Sequence, residues 1–295
     1  MSSVRRELSL LGRGEGIVSI QSASWGVVGD VWLVTYHDDS RIAVKTSFGV
    51  PEDFFAVEAG GLSILSDTGY VQTAEVLGVT DHMLVLEAYA PRDDSRAAWE
   101  AFAHDLAELH RETVHDRFGW QRDGYLGWLP QYNRWTADGH AFFAEHRLLR
   151  YLSEPLVEQA LEPADRRAVE NLCDKLPEIV PEMPPVMTHG DLHPANMLGG
   201  ADGRTVLIDP AVSYTWAEVD ISMLWCDELR PPESEGFFTR YQELNPSPPG
   251  WTDRAPLLYL REVLSTIAHL GDPSDVICSW AISNLRRTLA PFYRS

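Results

Sequence analysis

THGDLHPANML at Thr188–Leu198, followed by VLIDP at Val206–Pro210, is the stretch that decides how this chain is interpreted. Asp191 and Asn196 are five positions apart in a predicted loop, and Asp209 comes eighteen residues after Asp191, at the end of a short apolar run. Phosphoryl transfer needs a carboxylate that orients the acceptor hydroxyl and oxygen ligands that hold Mg²⁺ on the phosphates. The spacing therefore predicts a kinase that uses ATP and Mg²⁺, with Asp191 as the base and with Asn196 and Asp209 as metal ligands.

Two other interpretations of this segment stay open at this stage. Asp, Asn and Gly are also the residues that turn a chain in an ordinary hairpin loop. His189, Asp191 and His193 alternate, and such a cluster could instead bind zinc or manganese in a metal-dependent hydrolase. A hydrolase would leave the N-terminal half of the chain unexplained.

Lys45 is one of only two lysines in the chain and lies in the predicted strand RIAVKT, Arg41–Thr46. Alternation along a strand places Lys45 on the opposite face from Ile42 and Val44. In the helix predicted next, Glu58 lies on an apolar stripe, where an unpaired carboxylate is unfavourable. We therefore expect Lys45 to pair with Glu58 and to be directed at the phosphates, as the strand lysine is in protein kinases.

Two further segments are candidates for nucleotide contacts. The loop Gln21–Gly29 joins two predicted strands and contains small residues whose amides could cover phosphates, although it matches neither the kinase glycine pattern nor a P-loop. The run MLVLEAY at Met83–Tyr89 precedes a polar break, and Glu87 and Tyr89 are predicted to offer backbone groups to adenine. His104, His110 and His115 are expected on helix surfaces or at helix ends, without a role.

Composition excludes several classes of protein. The chain has 295 residues and a formal net charge of −20, and no Lys/Arg cluster offers a nucleic-acid surface. No window approaches the apolar length of a membrane span, and no signal peptide is evident at the N-terminus. Three widely spaced cysteines argue against a disulfide framework, so a cytoplasmic protein without nucleic-acid or membrane partners is expected.

The periodicities predict an α+β protein with two lobes. Residues 1–90 are predicted to form a small N-lobe of antiparallel strands and one helix that covers the nucleotide. Residues 91–295 are predicted to form a larger, mostly helical C-lobe with the catalytic loop, the metal site and the acceptor pocket. Continuous helices are expected at Thr136–Leu152 and Asp253–His269.

The motifs HGDLHPAN and LIDP resemble those of the aminoglycoside phosphotransferase and choline kinase superfamily, which has a protein-kinase-like fold. Within it, the chain looks most like the fructosamine (ketosamine) kinase family. The segments that carry this resemblance are FGWQRDGYLG at Phe118–Gly127, Gln131 with Asn133, FFAEHRLL at Phe142–Leu149 and IDPAVSYTWAEVDISM at Ile208–Met223. The resemblance spans nearly the whole chain.

The resemblance implies transfer of the ATP γ-phosphoryl group to a hydroxyl of a ketosamine, a sugar attached to an amine by glycation, and so implies deglycation. It also implies the same roles for Asp191, Asn196, Asp209, Lys45 and Glu58. Members often have tryptophan where this chain has His193, so His193 is a candidate contact to the acceptor. Asn133, in the segment that carries the resemblance, is the second candidate. The alternatives are phosphorylation of an aminoglycoside, choline or another amino-alcohol, and an inactive nucleotide-binding scaffold.

Overall fold

The computed structural model describes residues 2–23, 29–47 and 49–293. Residues 24–28 of the predicted phosphate-covering loop lie outside this description. Helix α1 (Ser2–Leu10) precedes strands β1 (Ile17–Ala23), β2 (Asp30–Tyr36), β3 (Arg41–Thr46), helix α2 (Phe54–Asp67), and strands β4 (Gln72–Thr73), β5 (Val76–Thr80), β6 (Met83–Glu87) and β7 (Ala90–Pro91). Helix α1 was not predicted from the sequence.

Five of these strands form an antiparallel sheet in the order β1-β2-β3-β6-β5. Lys45 lies on the central strand, opposite Val31 on one side and Leu84 on the other. Ile42 and Val44 are buried in the apolar layer, which confirms the predicted alternation. Lys45 therefore faces the other side of the sheet, toward α2.

The remainder of the chain is mostly helical, as predicted. Its elements are α3 (Arg96–Glu112), β8 (Gly124–Leu126), β9 (Leu129–Gln131), α4 (Gly139–Phe143), α5 (Pro155–Ala160), α6 (Pro163–Ile179), β10 (Val186–Thr188), β11 (Met197–Gly199), β12 (Thr205–Leu207), β13 (Ser213–Thr215), α7 (Ala217–Cys226), α8 (Glu235–Leu244), α9 (Trp251–Leu258), α10 (Leu260–Leu270) and α11 (Val276–Thr288). Helix α3 begins where the Ser95 side chain accepts a hydrogen bond from the Ala98 amide, at 3.3 Å.

Two predicted long helices are interrupted. Asp253–His269 is divided into α9 and α10 at Tyr259, three residues after Pro256, whose ring cannot donate a hydrogen bond and crowds the preceding turn. Thr136–Leu152 contains only the short helix α4, which continues as a π-turn over Ala144–Leu148 and a 3₁₀ turn over Leu149–Ser153. The two expectations of continuous helices were therefore wrong.

A second sheet, in the order β4-β12-β11-β7, joins the two halves of the chain. Strands β4 and β7 come from before residue 92, whereas β11 and β12 form a hairpin in the second half. Helix α2 also approaches the second half closely, because Gly61 has no side chain and a Cβ there would lie 3.0 Å from Pro210. The division into lobes at residue 90 stays a prediction.

Within the described residues, no helix has the length and apolar character needed to cross a bilayer.

Candidate active site

The segment that follows β10 holds the predicted base and one predicted metal ligand. Strand β10 pairs with β13, with Thr188 opposite Ser213, and the chain then turns through Gly190 to Asp191. The Asn196 side-chain amide donates hydrogen bonds to the Asp191 main-chain oxygen at 2.8 Å and to its Oδ2 at 3.2 Å. Asp191 and Asn196 are thus held together, as their spacing predicted.

His189 and Asp220 fix the backbone of this segment through hydrogen bonds to its amides. The buried Asp220 carboxylate accepts hydrogen bonds from the amides of His189 and Gly190, at 2.8 and 2.9 Å. Burial raises the pKa of Asp220. The hydrogen bond and charge of His110, with smaller effects of His189 and Gly190, outweigh burial, so that the net pKa lies below its ordinary value and the carboxylate stays ionised. The Asp191 amide donates to His189 Nδ1 at 3.2 Å, which leaves His189 Nε2 to donate to the Ile208 carbonyl at 3.0 Å.

This arrangement gives His189 a structural part. Burial lowers the pKa of His189, which favours the neutral ring that both hydrogen bonds require. Among the described residues, no three His, Cys, Asp or Glu side chains come together as ligands of a metal ion. The alternative of a zinc or manganese hydrolase at His189, Asp191 and His193 therefore has no ligand set.

Lys45 lies between the carboxylates of Glu58 and Asp209. Its Nζ is 2.6 Å from Glu58 Oε1 and is also in contact with Asp209 Oδ1. The predicted pair of Lys45 and Glu58 is confirmed, whereas the contact with Asp209 was not foreseen. Burial lowers the pKa of Lys45, but Asp209 and Glu58 raise it more, and the net pKa lies above its ordinary value. Lys45 is therefore a permanent cation at this position.

Asp209 follows β12 in a backbone conformation that is uncommon for residues other than glycine. Its φ is 55°, in the left-handed region, where Asp and Asn are tolerated better than most side chains. Burial raises the pKa of Asp209, but the charge and hydrogen bond of Lys45 have the larger effect, and the net pKa lies below its ordinary value. The Asp209 side chain is 39% exposed, so its ionised carboxylate remains accessible to a ligand.

Asn196 and Asp209 fit the coordination chemistry of Mg²⁺. Among the described residues, no hydrogen bond occupies the side-chain oxygen of Asn196, whose amide nitrogen is already directed at Asp191. One amide oxygen and one carboxylate are hard ligands, and Mg²⁺ usually completes its shell with phosphate oxygens and water. The donor set therefore suits a metal ion that arrives with a nucleotide.

The predicted adenine-facing residues lie where the sheet of the N-terminal half ends. The Glu87 amide donates to the Glu75 carbonyl at 3.0 Å, and the Tyr89 hydroxyl donates to the Glu87 carboxylate at 2.7 Å. In the part of the chain that the structure describes, the Tyr89 amide has no backbone acceptor. Of the two residues, Tyr89 is therefore the one whose main-chain donor has no backbone partner among the described residues.

The two predicted acceptor contacts differ in accessibility. His193 is 38% exposed, and its Nε2 lies 3.9 Å from Asp191 Oδ1. Asn133 is buried: its side-chain oxygen accepts from Arg147 at 2.6 Å and its side-chain nitrogen donates to the Arg122 carbonyl at 3.1 Å. Both polar atoms of Asn133 are therefore engaged within the protein, and the geometry favours His193 as an acceptor contact.

Helix α10 carries two titratable residues, Glu262 and His269, whose charges interact with that of Asp191, and neither was predicted from the sequence. Burial raises the pKa of Glu262 to about 8, and the charge of Asp191 contributes to this rise. Burial lowers the pKa of His269, and the Ser265 carbonyl and the charge of Asp191 oppose this shift. The Trp128 ring packs against His269, with ring centroids 4.3 Å apart. Trp128 is 39% exposed. Trp128 and His269 thus form an aromatic contact between the β8–β9 turn and helix α10.

Sequence reasoning missed His110 and Asp220 as well. His110 was expected on a helix surface, but it is buried, with Nδ1 2.7 Å from the Tyr241 hydroxyl and Nε2 3.3 Å from Asp220 Oδ2. The available signal was an aspartate inside the apolar run of α7, because a buried carboxylate needs partners. Nothing in the sequence identified those partners.

Comparison with known proteins adds an independent line of evidence. The sequence model of fructosamine kinase matches residues 3–285. A chloroplastic protein-ribulosamine 3-kinase of rice (Oryza sativa subsp. indica) is 27% identical over 270 residues, which are 89% of this chain and 77% of that protein. A crystal structure of a provisionally named fructosamine-3-kinase from Thermobifida fusca superimposes with a TM-score of 0.83 at 28% identity, covering 98% of this chain and 99% of that one.

The fold extends to a more distant kinase. The choline kinase LicA from Streptococcus pneumoniae superimposes with a TM-score of 0.66 at 15% identity, with 99% of both chains covered. At this identity the likeness concerns the fold alone. It confirms the predicted protein-kinase-like architecture.

Proposed function

Because the chain belongs to the fructosamine kinase family, we propose that it transfers the γ-phosphoryl group of ATP to a hydroxyl of a ketosamine. The observation that carries this proposal is a family match over 3–285 that includes both the catalytic segments and the β8–β9 region on the acceptor side. A chain that shared only ATP chemistry would have no reason to match in that second region.

The proposed roles follow from the contacts around Lys45, Asp191, Asn196 and Asp209. Asp191, held by Asn196 and by the Asp220-anchored backbone, accepts the proton of the acceptor hydroxyl and orients its oxygen. Lys45, kept charged by Glu58 and Asp209, binds phosphate oxygens. Asn196 and Asp209 would hold Mg²⁺, which when bound neutralises charge on the phosphates. Tyr89 offers its amide to adenine.

The substrate class is a small ketosamine, such as a fructose or ribulose adduct of a free amine, or the same adduct on a protein. The amine of such an adduct is cationic near neutral pH, and the chain carries a formal net charge of −20, which favours the approach of cations. The rice relative is named for ribulosamine and for position 3. The 3-hydroxyl of the sugar is therefore the first position to examine in the product.

The test is mass spectrometry of reactions with ATP, Mg²⁺ and one acceptor at a time. The panel contains a fructose adduct, a ribulose adduct, their parent sugars and amines, an aminoglycoside and choline. The expected result is one added phosphate on a ketosamine and none on its parent sugar or amine. Phosphorylation of the aminoglycoside or of choline alone would refute the ketosamine assignment and leave a kinase.

Asp191→Asn is the control for catalysis by this site, because the amide keeps the shape of the carboxyl group but cannot accept the proton. A product that still formed at the wild-type rate with this variant would come from a contaminating kinase or from another site. Omission of ATP checks for hydrolytic activity.

A further inference from the structure

The segments that contain Asp191 and Asp209 meet along their main chains. The Ala211 amide donates a hydrogen bond to the His189 carbonyl at 2.8 Å. Gly190 has a φ of 79°, and a Cβ at this position would collide with the Ala211 carbonyl oxygen. The backbone next to Asp191 is thus in direct contact with the backbone two residues after Asp209. We call this contact of residues 189–190 with Ala211 the seam.

Two buried side chains donate hydrogen bonds to the main-chain carbonyls on either side of the seam. Arg261, on α10, donates through Nη1 to the Gly190 carbonyl. Gln131, at the end of β9, donates through Nε2 to the Ala211 carbonyl at 2.9 Å. Arg261 Nη2 then donates to Gln131 Oε1 at 3.0 Å, which closes a ring of hydrogen bonds around the seam.

The chemistry of this ring requires the two residue types that are present. A guanidinium can only donate, and a main-chain carbonyl can only accept, so the group between Arg261 and Ala211 must do both. A glutamine amide does so, whereas a glutamate of the same size cannot donate to Ala211. Arg261 and Gln131 are both almost fully buried, and the neighbouring Glu262 lies 3.2 Å from Arg261 Nη1.

We propose that Gln131 and Arg261 are positioning residues that keep the base Asp191 in register with Asp209 through the main chains of Gly190 and Ala211. This inference rests on the proposed function for the identity of the acceptor. Neither side chain needs to touch the substrate. Their effect is on the relative placement of the two segments, where a displacement of about 1 Å can reduce the rate by about a hundredfold.

The test compares Gln131→Glu and Arg261→Lys with the wild type. Gln131→Glu keeps an acceptor for Arg261 and removes the donor to Ala211, and Arg261→Lys keeps the charge but cannot bind Gly190 and Gln131 in the same fork. We measure kcat and KM for ATP and for the ketosamine, the melting temperature, and the number of sites that bind ATP. All rates are expressed per ATP-binding site, so that misfolded protein does not count.

The matched control is Asp165→Asn, which makes the reverse exchange to Gln131→Glu, a carboxyl replaced by an amide, at a buried position that faces an arginine. Asp165 accepts from Arg286 at 2.8 Å in the contact between α6 and α11 and touches neither catalytic segment. This variant should lose stability and keep the wild-type kcat per site. It therefore shows what a purely structural loss looks like.

The expected result is a fall of about tenfold or more in kcat per site for both variants of the ring, with KM for ATP and for the acceptor within about threefold. The losses should not add in the double variant, because both act on one ring. A kcat per site within twofold of wild type would refute the proposal, and so would a rise in KM for the acceptor alone. If Arg261→Lys does not fold, Gln131→Glu decides the outcome.

Failure of the proposed function is a separate result. If the wild type phosphorylates no ketosamine, the same variants are compared by hydrolysis of ATP in the absence of acceptor. Slower hydrolysis per site in both variants would still support the positioning role, and unchanged hydrolysis would overturn it.

Discussion

Lys45 joins Asp209, 164 positions later in the chain, through a direct ion pair. The same ammonium group lies 2.6 Å from Glu58 Oε1, so one cation connects strand β3, helix α2 and the segment after β12. The three groups belong to different elements, and removal of Lys45 takes an ion-pair partner from both Glu58 and Asp209. The lysine thus contributes to stability in the absence of nucleotide as well as to the binding of phosphates.

Lys45→Met should remove activity and lower the free energy of unfolding by about 3 kcal/mol, because it leaves the largely buried Glu58 without a partner. A second change, Glu58→Gln, should restore much of that stability without restoring activity. Urea unfolding of the two single variants and the double variant measures the coupling. Stability losses that simply add would contradict an energetic contact between Lys45 and Glu58.

Asp209→Asn should weaken the binding of ATP with Mg²⁺ by about tenfold or more, as the loss of a ligand-shell group typically does. Binding of ATP without Mg²⁺ should be unchanged or tighter, because a negative charge near the phosphates has been removed. Asparagine is chosen because it tolerates the φ of 55° at this position. Titrations with and without Mg²⁺ provide the measurement.

The control for that titration is Asp202→Asn, in the turn of the β11–β12 hairpin, where the carboxylate contacts Gln72 at 2.8 Å on the surface. This variant should bind both forms of ATP like the wild type. Equal losses in the two titrations of Asp209→Asn would argue against a metal ligand.

Local spacing was sufficient to predict two contacts of the candidate site, Asp191 with Asn196 and Lys45 with Glu58. Asp191 and Asn196 are five residues apart, and a short loop cannot separate them far. The pair of Lys45 and Glu58 could be predicted because a strand face and a helix stripe each have a known periodicity, and a carboxylate on an apolar stripe needs a partner. The strand Arg41–Thr46 was predicted with its observed bounds for the same reason.

The ring around the seam could not be predicted, because its members come from positions 131, 190, 211 and 261 and no local period relates them. Gln131 was noticed only through resemblance, and Arg261 was predicted only to lie within the helix Asp253–His269. The break at Tyr259 is of the same kind: the predicted continuous helix contains Pro256, and whether a helix bends, breaks or tolerates a proline depends on packing with its neighbours.

Asp191→Asn should reduce kcat by about a hundredfold to ten-thousandfold, the usual contribution of a positioned base. The variant should keep the affinity for ATP and the melting temperature, since the Asn196 amide can still donate to the main-chain oxygen of residue 191. Single-turnover kinetics with saturating acceptor measures the chemical step. A variant with wild-type turnover would show that another group accepts the proton.

Glu262→Gln tests the environment of the buried Glu262 carboxyl group through the dependence of stability on pH. Burial raises the pKa of Glu262 in the folded protein from its ordinary value of 4.5 to about 8, despite the nearby Arg261, and the Asp191 charge contributes. In the unfolded chain the group ionises near its ordinary value, so the unfolded state releases its proton first as the pH rises. The wild type should therefore lose stability between about pH 5 and about pH 8 through this group, whereas glutamine cannot ionise. The melting temperature of Glu262→Gln relative to wild type should rise with pH, at about 2 to 4 °C for each kcal/mol.

Glu243→Gln, on the exposed surface of α8 beside Arg240, is the control and should show a difference that does not change with pH. A constant difference would mean that Glu262 ionises normally in the folded protein, and a difference that fell with rising pH would mean that its folded-state pKa lies below the ordinary value; either result would contradict the raised pKa.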